Sequence, residues 1–490
     1  MSRFDEGVHR AATERFALRL AAGGAIALLA GCGGGGGGAP PPPPPPANIQ
    51  PPSFTSPSLA SVVENSGGAI YQATATDPEG AAVAFSIVGG ADAARFSIAP
   101  NGALSFVSPP NFDLPTDSDV NNIYLVEIGA SDGQNLTRQT VTVTVSNSKE
   151  GISVRRIGTV LPRLLAGAAA GNTHLLLASE TGGIYSYNLQ NGAFLFLTPV
   201  SRSIGFPGVL LVAAANDFAE SGRFVVMNQT VGFLFIEEYR RELSGTRWDG
   251  SGRHLTIAAP QYSGGGWLGF DSQGRLLIAT GDAGGTGDPT GSAQDDSSRL
   301  GKLIRVDPNP DPFAGAAPSY WLFTNVAKGL HQPAGGFFYS GGLLIGDRGE
   351  SVADEVNFFA TGSSGINFGW PFKEGFKIVR GTPPADVVDP VTEYARSSAA
   401  AADQGNVGGA IAGNAVASIA GHYVFADRSG AIFSFPMASL QNARTATERR
   451  TADFAPDAGS IDRPVAVVAD SNGGLYIVDS DGEIFRVDAG

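Results

Sequence analysis

Carboxylates and glycines are concentrated in one loop of the sequence, residues 281–301. The loop lies between two apolar runs, 276–280 and 302–306, and it contains Asp282 and Asp288. Its residues tolerate positive φ and offer carboxylate oxygens, which is the composition of a binding loop carried on a rigid sheet. Oxygen ligands of this kind suit a calcium ion. Carboxylates that cap a hairpin turn have the same composition, so both interpretations stay open.

This loop belongs to a hairpin pattern, 264–307, that recurs along the chain. Further copies are HLLLASETGGIYSY (174–187), GLLIGDRG (342–349), HYVFADRSGAIFSF (422–435) and GLYIVDSDGEIFRV (474–487). Each copy has an apolar run, an Asp or Glu near a Gly turn, and usually a second apolar run. Similar β-units at irregular spacings of roughly 40 to 70 residues are typical of a propeller whose blades carry insertions. A run of unrelated hairpins in a β-sandwich is the alternative.

The segment 264–307 resembles the core of the glucose/sorbosone dehydrogenase family, the soluble quinoprotein sugar dehydrogenases, whose relatives include Hedgehog-interacting protein. Other motifs match in the family's order: GVLLVAAANDFAESGR (208–223), DPFAG (311–315), KGLHQP (328–333), NFGWP (367–371) and PVTEY (390–394). The resemblance covers about 155–490. It implies a six-bladed β-propeller and, in active members, pyrroloquinoline quinone (PQQ) with calcium at the mouth of the central channel.

Oxidation of a sugar by a quinone requires a base for the hydroxyl proton, cations for the cofactor's carboxylates, and a metal as Lewis acid. The resemblance puts the family's catalytic histidine on Ser263, which needs activation by another base, or, after a shift of one residue, on Tyr262. His331 falls at the mouth and is the other candidate base. Gln332 and Arg396 fall on positions that contact the cofactor.

The remaining site positions are also carried over from the family. Its calcium is held partly by main-chain carbonyls, which fall on Gly349 and Glu350. Trp267 lies beside the core loop, where it either stacks on a quinone or sugar or packs between blades. Two polar positions of the family fall on Phe206 and Ala412.

These departures favour a degenerate propeller that binds calcium and a carbohydrate or a protein partner. The alternative is an active PQQ-dependent aldose dehydrogenase with a rearranged base. The sequence leaves open whether the protein is an enzyme.

Residues 52–147 form a separate unit with short alternating strands, which predicts a β-sandwich. The pieces VVENS, ATDPEG, ADAARFSI, NGALSF, PNFDLP and IGASDG resemble a bacterial cadherin repeat. That resemblance implies calcium on Glu64 and Asp113 at one end of the sandwich and on Asp77 and Asp132 at the other. In cadherins a neighbouring repeat completes such sites, and none follows here. Occupied calcium sites and solvated turn carboxylates therefore both remain open.

Residues 1–32 have the pattern of a signal peptide, because arginines precede an apolar run that is too short to span a bilayer. The run ends in Leu-Ala-Gly-Cys, which resembles a bacterial lipobox, and Cys32 is the only cysteine of the chain. We expect lipidation of Cys32 and anchoring to a membrane of the bacterial cell envelope. Gly33 follows in place of an aspartate, which favours the outer membrane by the lipoprotein sorting rule. Residues 33–51 are a Gly- and Pro-rich tether.

The composition limits the partners of the chain. A net charge of -14 and a pI near 4.8 argue against nucleic acid, which requires a basic face. A length of 490 residues predicts two or more domains. Taken together, the sequence predicts an all-β protein, with a cadherin-like β-sandwich at 52–147 and a six-bladed β-propeller at 152–490. The strand at 152–157 is expected to close the ring by pairing with 474–487.

Overall fold

The computed structural model describes residues 50–490 except 201–209, 242–247, 261, 263, 307–320, 397–404 and 441–443, and describes no side chains in 241–253. The predicted signal peptide with Cys32, most of the tether, Phe206 and Ser263 therefore lie outside the described residues. Within the described part, no helix combines the length and the apolar character needed to cross a bilayer.

The N-terminal part of the described chain is a β-sandwich. Its strands are β1 (Ser53–Phe54), β2 (Leu59–Val63), β3 (Ala69–Gln72), β4 (Ala75–Thr76), β5 (Ala84–Gly89), β6 (Phe96–Ile98), β7 (Ala103–Phe106), β8 (Ile123–Ser131) and β9 (Leu136–Ser146). One sheet has the order β2-β9-β8-β5 and the other β3-β7-β6. Both sheets contribute to one core, which includes Leu104, Tyr124 and Val141. In β9, valines alternate with outward-facing polar residues, because successive side chains point to opposite faces of a sheet.

The rest of the described chain forms six blades, built from strands β10 to β36. The first half comprises β10 (Ile152–Thr159), β11 (Leu164–Ala170), β12 (His174–Ser179), β13 (Gly183–Asn188), β14 (Phe194–Pro199), β15 (Leu210–Ala214), the helix α1 (Phe218–Ser221), β16 (Arg223–Thr230), β17 (Phe233–Arg241), β18 (Trp248–Ala258), β19 (Trp267–Phe270), β20 (Leu276–Ala279), β21 (Lys302–Val306) and β22 (Phe323–Lys328). The second half comprises β23 (Gln332–Tyr339), β24 (Gly342–Arg348), β25 (Ala353–Ala360), β26 (Ile366–Asn367), β27 (Lys373–Glu374), β28 (Lys377–Ile378), β29 (Thr392–Ala395), β30 (Asn406–Ile411), β31 (His422–Asp427), β32 (Ile432–Pro436), β33 (Glu448–Arg449), β34 (Pro464–Ala469), β35 (Leu475–Asp479) and β36 (Glu483–Ala489).

The sheets follow one another around a ring, as the sequence predicts. Blades 1 to 5 start with β11, β15, β19, β23 and β30, and blade 6 has the order β10-β36-β35-β34. The first strands of neighbouring blades lie side by side, and β34 lies beside β11, so the ring is closed around a channel. Strand β10 pairs antiparallel with β36, from Ile152 opposite Ala489 to Thr159 opposite Glu483. The expected closure by the N-terminal strand is therefore confirmed, and it removes the open sheet edges of the last blade.

Apolar clusters between neighbouring blades hold the ring together. Between blades 4 and 5, Leu344 and Val356 belong to the same buried cluster as Tyr423 and Phe435. Comparable clusters occupy the other five interfaces between described blades. Because the apolar runs of the repeated hairpins supply these side chains, each blade needs its neighbours in order to bury its faces.

The sandwich and blade 5 share a buried ionic cluster. Arg450 Nη1 donates to Asp113 Oδ2 at 2.9 Å and to Asp453 Oδ2 at 3.0 Å, and the same guanidinium contacts Glu150 and Glu448. The side chains of Arg450, Asp113 and Asp453 are 3%, 0% and 0% exposed. Desolvation, followed by the neighbouring Asp453 carboxylate, raises the pKa of Asp113 to about 8.

We expect Gly335→Ala to lower the free energy of unfolding by roughly 2–4 kcal/mol. Gly335, in β23, has φ +141, and a Cβ there would lie 2.3 Å from the Val407 carbonyl oxygen of the next blade. Thermal or denaturant unfolding measures the effect. Gly67→Ala is the control, because a Cβ at Gly67 meets no atom within 4 Å. Equal stability of the two variants would contradict the close packing of the inner strands.

Candidate functional site

Aspartates at the ends of second strands fix the entrances to the channel. Asp347 of blade 4 accepts hydrogen bonds from the backbone N–H groups of His331 and Gln332, at 2.9 and 2.8 Å. Asp427 and Asp479 bind the backbone N–H groups that enter the first strands of blades 5 and 6, at 3.0 and 2.9 Å. These are the aspartates of the recurring hairpin pattern. Their carboxylates satisfy backbone donors that would otherwise be buried without a partner.

His331 lies at the entrance of blade 4 and is 7% exposed. Its Nδ1 lies 2.6 Å from the carbonyl oxygen of Arg348, so this nitrogen carries the proton in the neutral ring. No described residue forms a hydrogen bond with Nε2, which is left with a lone pair. Desolvation lowers the pKa of His331, although the carboxylates of Glu350 and Glu374 act in the opposite direction.

A buried tryptophan and a buried aspartate support the histidine. The Trp370 ring lies 4.1 Å from the His331 ring, centroid to centroid, and its Nε1 donates to Asp282 Oδ2 at 2.8 Å. The backbone N–H of Asp282 donates to the His331 carbonyl oxygen at 2.9 Å, and Gly284 N–H donates to Asp282 Oδ1 at 2.8 Å. Desolvation raises the pKa of Asp282 to about 6, despite these donors. The Gly-rich loop therefore positions the aromatic ring that covers the imidazole.

Lys302 holds the rest of the Gly-rich loop in place. Its ammonium group is fully buried and donates to the carbonyl oxygens of Ser292, Ala293 and Leu300 at 2.6, 3.0 and 2.9 Å. Desolvation lowers the pKa of Lys302 to about 8. Asp288 accepts hydrogen bonds from the backbone N–H groups of Ser292 and Ala293. The contacts of Asp288 therefore match the structural interpretation, in which the carboxylate caps a turn.

The Tyr262 hydroxyl links two backbone segments in the same region. Its hydroxyl donates to the Gly265 carbonyl oxygen at 2.7 Å and accepts from the Gly281 N–H at 2.8 Å. Desolvation raises the pKa of Tyr262 above its ordinary value. Because the raised pKa disfavours ionisation, little phenolate is present to act as a base. The contacts of Tyr262 therefore do not support a role as base.

The turn after β24 contains two carbonyl groups without a hydrogen-bond donor in the described part of the chain. The carboxylate of Glu374 accepts the backbone N–H groups of Ser351 and Val352, at 3.0 and 2.6 Å. The carbonyl oxygens of Gly349 and Glu350 accept no hydrogen bond from any described residue, and Glu350 Oε1 accepts the Gly287 N–H at 3.0 Å. Main-chain oxygens are ligands that calcium accepts, so calcium at Gly349 and Glu350 stays a prediction.

Guanidinium groups gather beside this turn from blades 4 and 5. Arg396 Nη1 donates to Asp354 Oδ1 at 2.6 Å, and both side chains are almost fully buried. Desolvation, followed by the nearby guanidinium groups of Arg396 and Arg428, lowers the pKa of Arg348. Gly405 leaves space for Arg348, because a Cβ there would lie 2.9 Å from Arg348 Cδ. The mouth therefore combines one histidine with three arginines.

Three other predicted positions are packed against neighbouring strands or blades. The Trp267 ring packs against Phe338 of blade 4, with centroids 5.4 Å apart, and against Gly336. This geometry agrees with the interpretation of Trp267 as a residue that packs between blades. Ala412 is buried in the apolar cluster between blades 5 and 6. Gln332 contributes its backbone N–H to Asp347, as described above, and its Cα lies against Gly265.

The four carboxylates predicted to bind calcium in the sandwich have different surroundings. Asp77 Oδ1 accepts the backbone N–H groups of residues 79 and 81, and Asp132 Oδ1 accepts those of residues 134 and 135. These contacts are those of turn caps. Glu64 and Asp113 instead lie together with Asp453 of blade 5, and one oxygen from each of the three lies within 4.8 Å of the other two.

Sequence reasoning missed Glu374, the support of His331 by Trp370, the buried ammonium of Lys302, and the pairing of Asp453 with the sandwich. For Lys302 a signal existed, since a lysine opens an otherwise apolar strand, KLIRV. The others give no local signal, because their partners are distant in the sequence.

Residues 250–486 match the family model for Glucose / Sorbosone dehydrogenase. The HIPL2 protein of Arabidopsis thaliana is 30% identical over 151 residues, which cover 25% of this chain and 20% of that protein. The chain therefore spans about a fifth of the length of this curated relative. Residues 250–486 of the propeller are thus similar to the glucose/sorbosone dehydrogenase family.

Solved structures share the propeller fold. One is the PQQ-bound aldose sugar dehydrogenase of Streptomyces coelicolor, with a TM-score of 0.53, 20% identity, and coverage of 70% of this chain and 99% of that one. Another is the soluble aldose sugar dehydrogenase of Escherichia coli, with a TM-score of 0.51, 21% identity, and coverage of 69% and 100%. At this identity the likeness shows the fold alone.

We expect Trp370→Phe to destabilise the protein by about 1–3 kcal/mol, with a larger loss at pH 8 than at pH 5. The pKa of Asp282 lies above its ordinary value, so ionisation of Asp282 costs stability as the pH rises through about 6. The variant removes one donor to the ionised carboxylate, which makes that cost larger. Melting temperatures at the two pH values measure the effect.

Trp321→Phe is the control for this substitution. Trp321 lies in the apolar cluster of blades 2 and 3 and makes no hydrogen bond with the described residues. Its cost should not depend on pH. The same pH dependence in both variants would show that the bond from Trp370 to Asp282 is unimportant.

Proposed function

We propose that the propeller oxidises a sugar hydroxyl with the help of a bound quinone cofactor, and that His331 is the general base. The observation that carries the proposal is the hydrogen bond from His331 Nδ1 to the Arg348 carbonyl oxygen, at 2.6 Å. It orients the ring and leaves Nε2 as the proton acceptor. Because burial lowers the pKa of His331, the ring is neutral at pH 7 and ready to accept a proton.

This proposal departs from the degenerate propeller that the sequence favours. Serine at position 263 and the replaced cationic positions favour a degenerate propeller in the sequence. In the folded chain, His331 lies beside Arg348, and Arg348 in turn lies near Arg396 and Arg428 from separate segments. A base and guanidinium groups are therefore present in the same region, although they occupy other sequence positions.

The residues at the mouth fit a quinone cofactor with calcium. The carbonyl oxygens of Gly349 and Glu350 have no hydrogen-bond donor among the described residues, and the carboxylate of Glu350 lies in the same turn. They would hold the calcium. Arg348 and Arg428 are partly exposed and would bind the carboxylates of PQQ. When bound, the quinone accepts the hydride from the sugar carbon.

The chain's own contribution is control of the proton. Nε2 of His331 accepts the proton of the sugar hydroxyl, and the Arg348 carbonyl oxygen retains its hydrogen bond to the resulting imidazolium. The carboxylates of Glu350 and Glu374 favour the charged ring. Trp370 covers one side of the ring and limits access of water. Together these contacts allow the imidazole to gain a proton without changing its orientation.

The second candidate function is binding of a carbohydrate or a protein partner without oxidation. The observation that favours it is the ion pair between Arg396 and Asp354, which engages the Arg396 guanidinium group. An engaged guanidinium is less available to a cofactor carboxylate. In this case the propeller would bind its ligand at the same mouth and His331 would have no catalytic role.

We expect His331→Asn to reduce kcat/KM for an aldose by a factor of about 10²–10⁴ when the purified chain is supplied with PQQ and calcium. Asparagine retains a donor toward the Arg348 carbonyl oxygen but has no nitrogen lone pair in place of Nε2. In the unsubstituted protein, kcat/KM should stay constant down to pH 6.5 and fall below it, since burial lowers the pKa of His331. Dye reduction with a panel of aldoses provides the measurement.

His422→Asn is the matched control, because His422 begins β31 at the end of the strand remote from Asp427 and is only partly buried. Its activity should equal that of the unsubstituted chain. Uptake of PQQ without dye reduction by any aldose would favour the binding function. Equal activity of the two histidine variants would eliminate His331 as the base.

We also propose that the chain is a lipoprotein of the bacterial outer membrane, anchored through Cys32, and that the sandwich is cadherin-like. The support is the lipobox, the tether and the order of the sandwich motifs in the sequence. Acyl chains on Cys32 would hold the propeller at the membrane surface.

For the anchor, Cys32→Ser should abolish incorporation of labelled palmitate and move the protein from the membrane fraction to the soluble fraction. Cells that express the unsubstituted chain provide the reference. Membrane association that survives the substitution, with no label in either protein, would contradict lipidation.

A further inference from the structure

Three buried carboxylates meet between the sandwich and blade 5. Glu64 and Asp113 belong to the sandwich, and Asp453 follows β33 of the propeller. The exposed fractions of the whole residues are 3%, 3% and 0%. One oxygen from each lies within 4.8 Å of the other two. Calcium ligands at 2.3–2.6 Å from an ion lie at separations of this size from one another.

We propose that these three carboxylates bind a divalent cation, calcium, that links the sandwich to the propeller. The ligand set is composed of oxygen atoms, without sulfur or imidazole, which suits calcium and disfavours zinc or copper. The site goes beyond the proposed function, because it lies at the domain junction and not at the channel mouth. It also has a composition that neither domain provides alone.

A buried oxygen without a partner provides independent support for a cation. The Asp113 side chain is buried. Its Oδ1 is inaccessible to solvent and accepts no hydrogen bond from the described residues. A carboxylate oxygen in this state loses its hydration without compensation, which is costly. Coordination to a cation would supply the missing partner.

The other oxygens of the three carboxylates are held by donors from the surrounding protein. Glu64 accepts the backbone N–H groups of Phe112 and Ser148, at 2.8 and 2.9 Å. Asp453 Oδ1 accepts Asn147 Nδ2 at 2.6 Å. Asp113 Oδ2 accepts Arg450 Nη1 at 2.9 Å. Outer contacts of this kind orient ligands around a metal ion, and each carboxylate oxygen retains a second lone pair.

The charge of the junction also calls for a cation. Arg450 is the cation that contacts the cluster, and it faces the carboxylates of Asp113 and Asp453 together with the neighbouring Glu150 and Glu448. With Glu64 included, five acidic side chains adjoin one guanidinium, and the other four outnumber it even when Asp113 is protonated. Buried charge that is not balanced destabilises the folded state, so one divalent ion would relieve much of this excess.

The proposed ion would couple the two domains. Its ligands come together only when the sandwich is docked on blade 5, so calcium would bind this arrangement in preference to a separated one. The sequence resemblance supplied Glu64 and Asp113 without a partner repeat. In this chain Asp453 of the propeller takes the place of that partner.

The test is calcium binding by the full chain, purified in detergent and freed of metal with a chelator. Equilibrium dialysis with radioactive calcium should give one bound ion more for the unsubstituted chain than for Asp453→Asn. Calcium should raise the melting temperature of the unsubstituted chain by about 2 °C or more, and that of the variant by less. The control is Asp296→Asn, which removes a carboxylate that is 83% exposed. It should bind as many ions as the unsubstituted chain.

Two results would overturn the proposal. One is the absence of bound calcium in the unsubstituted chain. The other is an equal number of ions in the unsubstituted chain and in Asp453→Asn, which would locate the binding elsewhere, for example at the mouth. If Asp453→Asn does not fold, Glu64→Gln replaces it, because this change retains an acceptor for the backbone donors of residues 112 and 148. Circular dichroism verifies the fold of each variant.

Discussion

The entrances to the channel depend on buried carboxylates that bind backbone N–H groups. Each inner strand of blades 4 to 6 begins where no neighbouring strand provides an acceptor. Asp347, Asp427 and Asp479 provide one from the same blade. Without these bonds the segments that enter the channel would bury unsatisfied donors, which fold stability does not tolerate. The position of His331 follows directly from this constraint, because its own N–H is one of the donors.

The charge pattern of the mouth follows from the same arrangement. The residue after the clamping aspartate is an arginine in blades 4 and 5, Arg348 and Arg428. Asp347 therefore fixes the backbone of His331, and the residue after Asp347 carries a guanidinium group. Desolvation acts on the groups in this region, and it lowers the pKa of His331 while it raises that of Asp282. Burial therefore favours the neutral form of both the imidazole and the carboxyl group.

The junction between the sandwich and blade 5 also depends on buried carboxylates. Arg450 contacts carboxylates from both domains and from the connection between them. The connection, Ser146 to Ile152, is short, and Asn147 bonds to Asp453 of the propeller. The sandwich is therefore attached to the ring through side chains as well as through the chain. Polar contacts therefore help to specify its orientation on the propeller.

The sequence by itself determined the fold. Recurring hairpins and ordered motifs gave the six blades, and the N-terminal strand gave the closure, because hydrophobic alternation and turn residues act locally. The tertiary structure alone decided which side chains meet. In the sequence, the position of the family's base falls on Ser263, and the mouth lacks the expected cationic residues. Folding brings His331, Arg348 and Arg428 into one region from different segments. Likewise Asp453 joins Glu64 only across a domain junction. Such contacts depend on the packing of whole sheets, and residues hundreds of positions apart leave no local pattern from which their proximity follows.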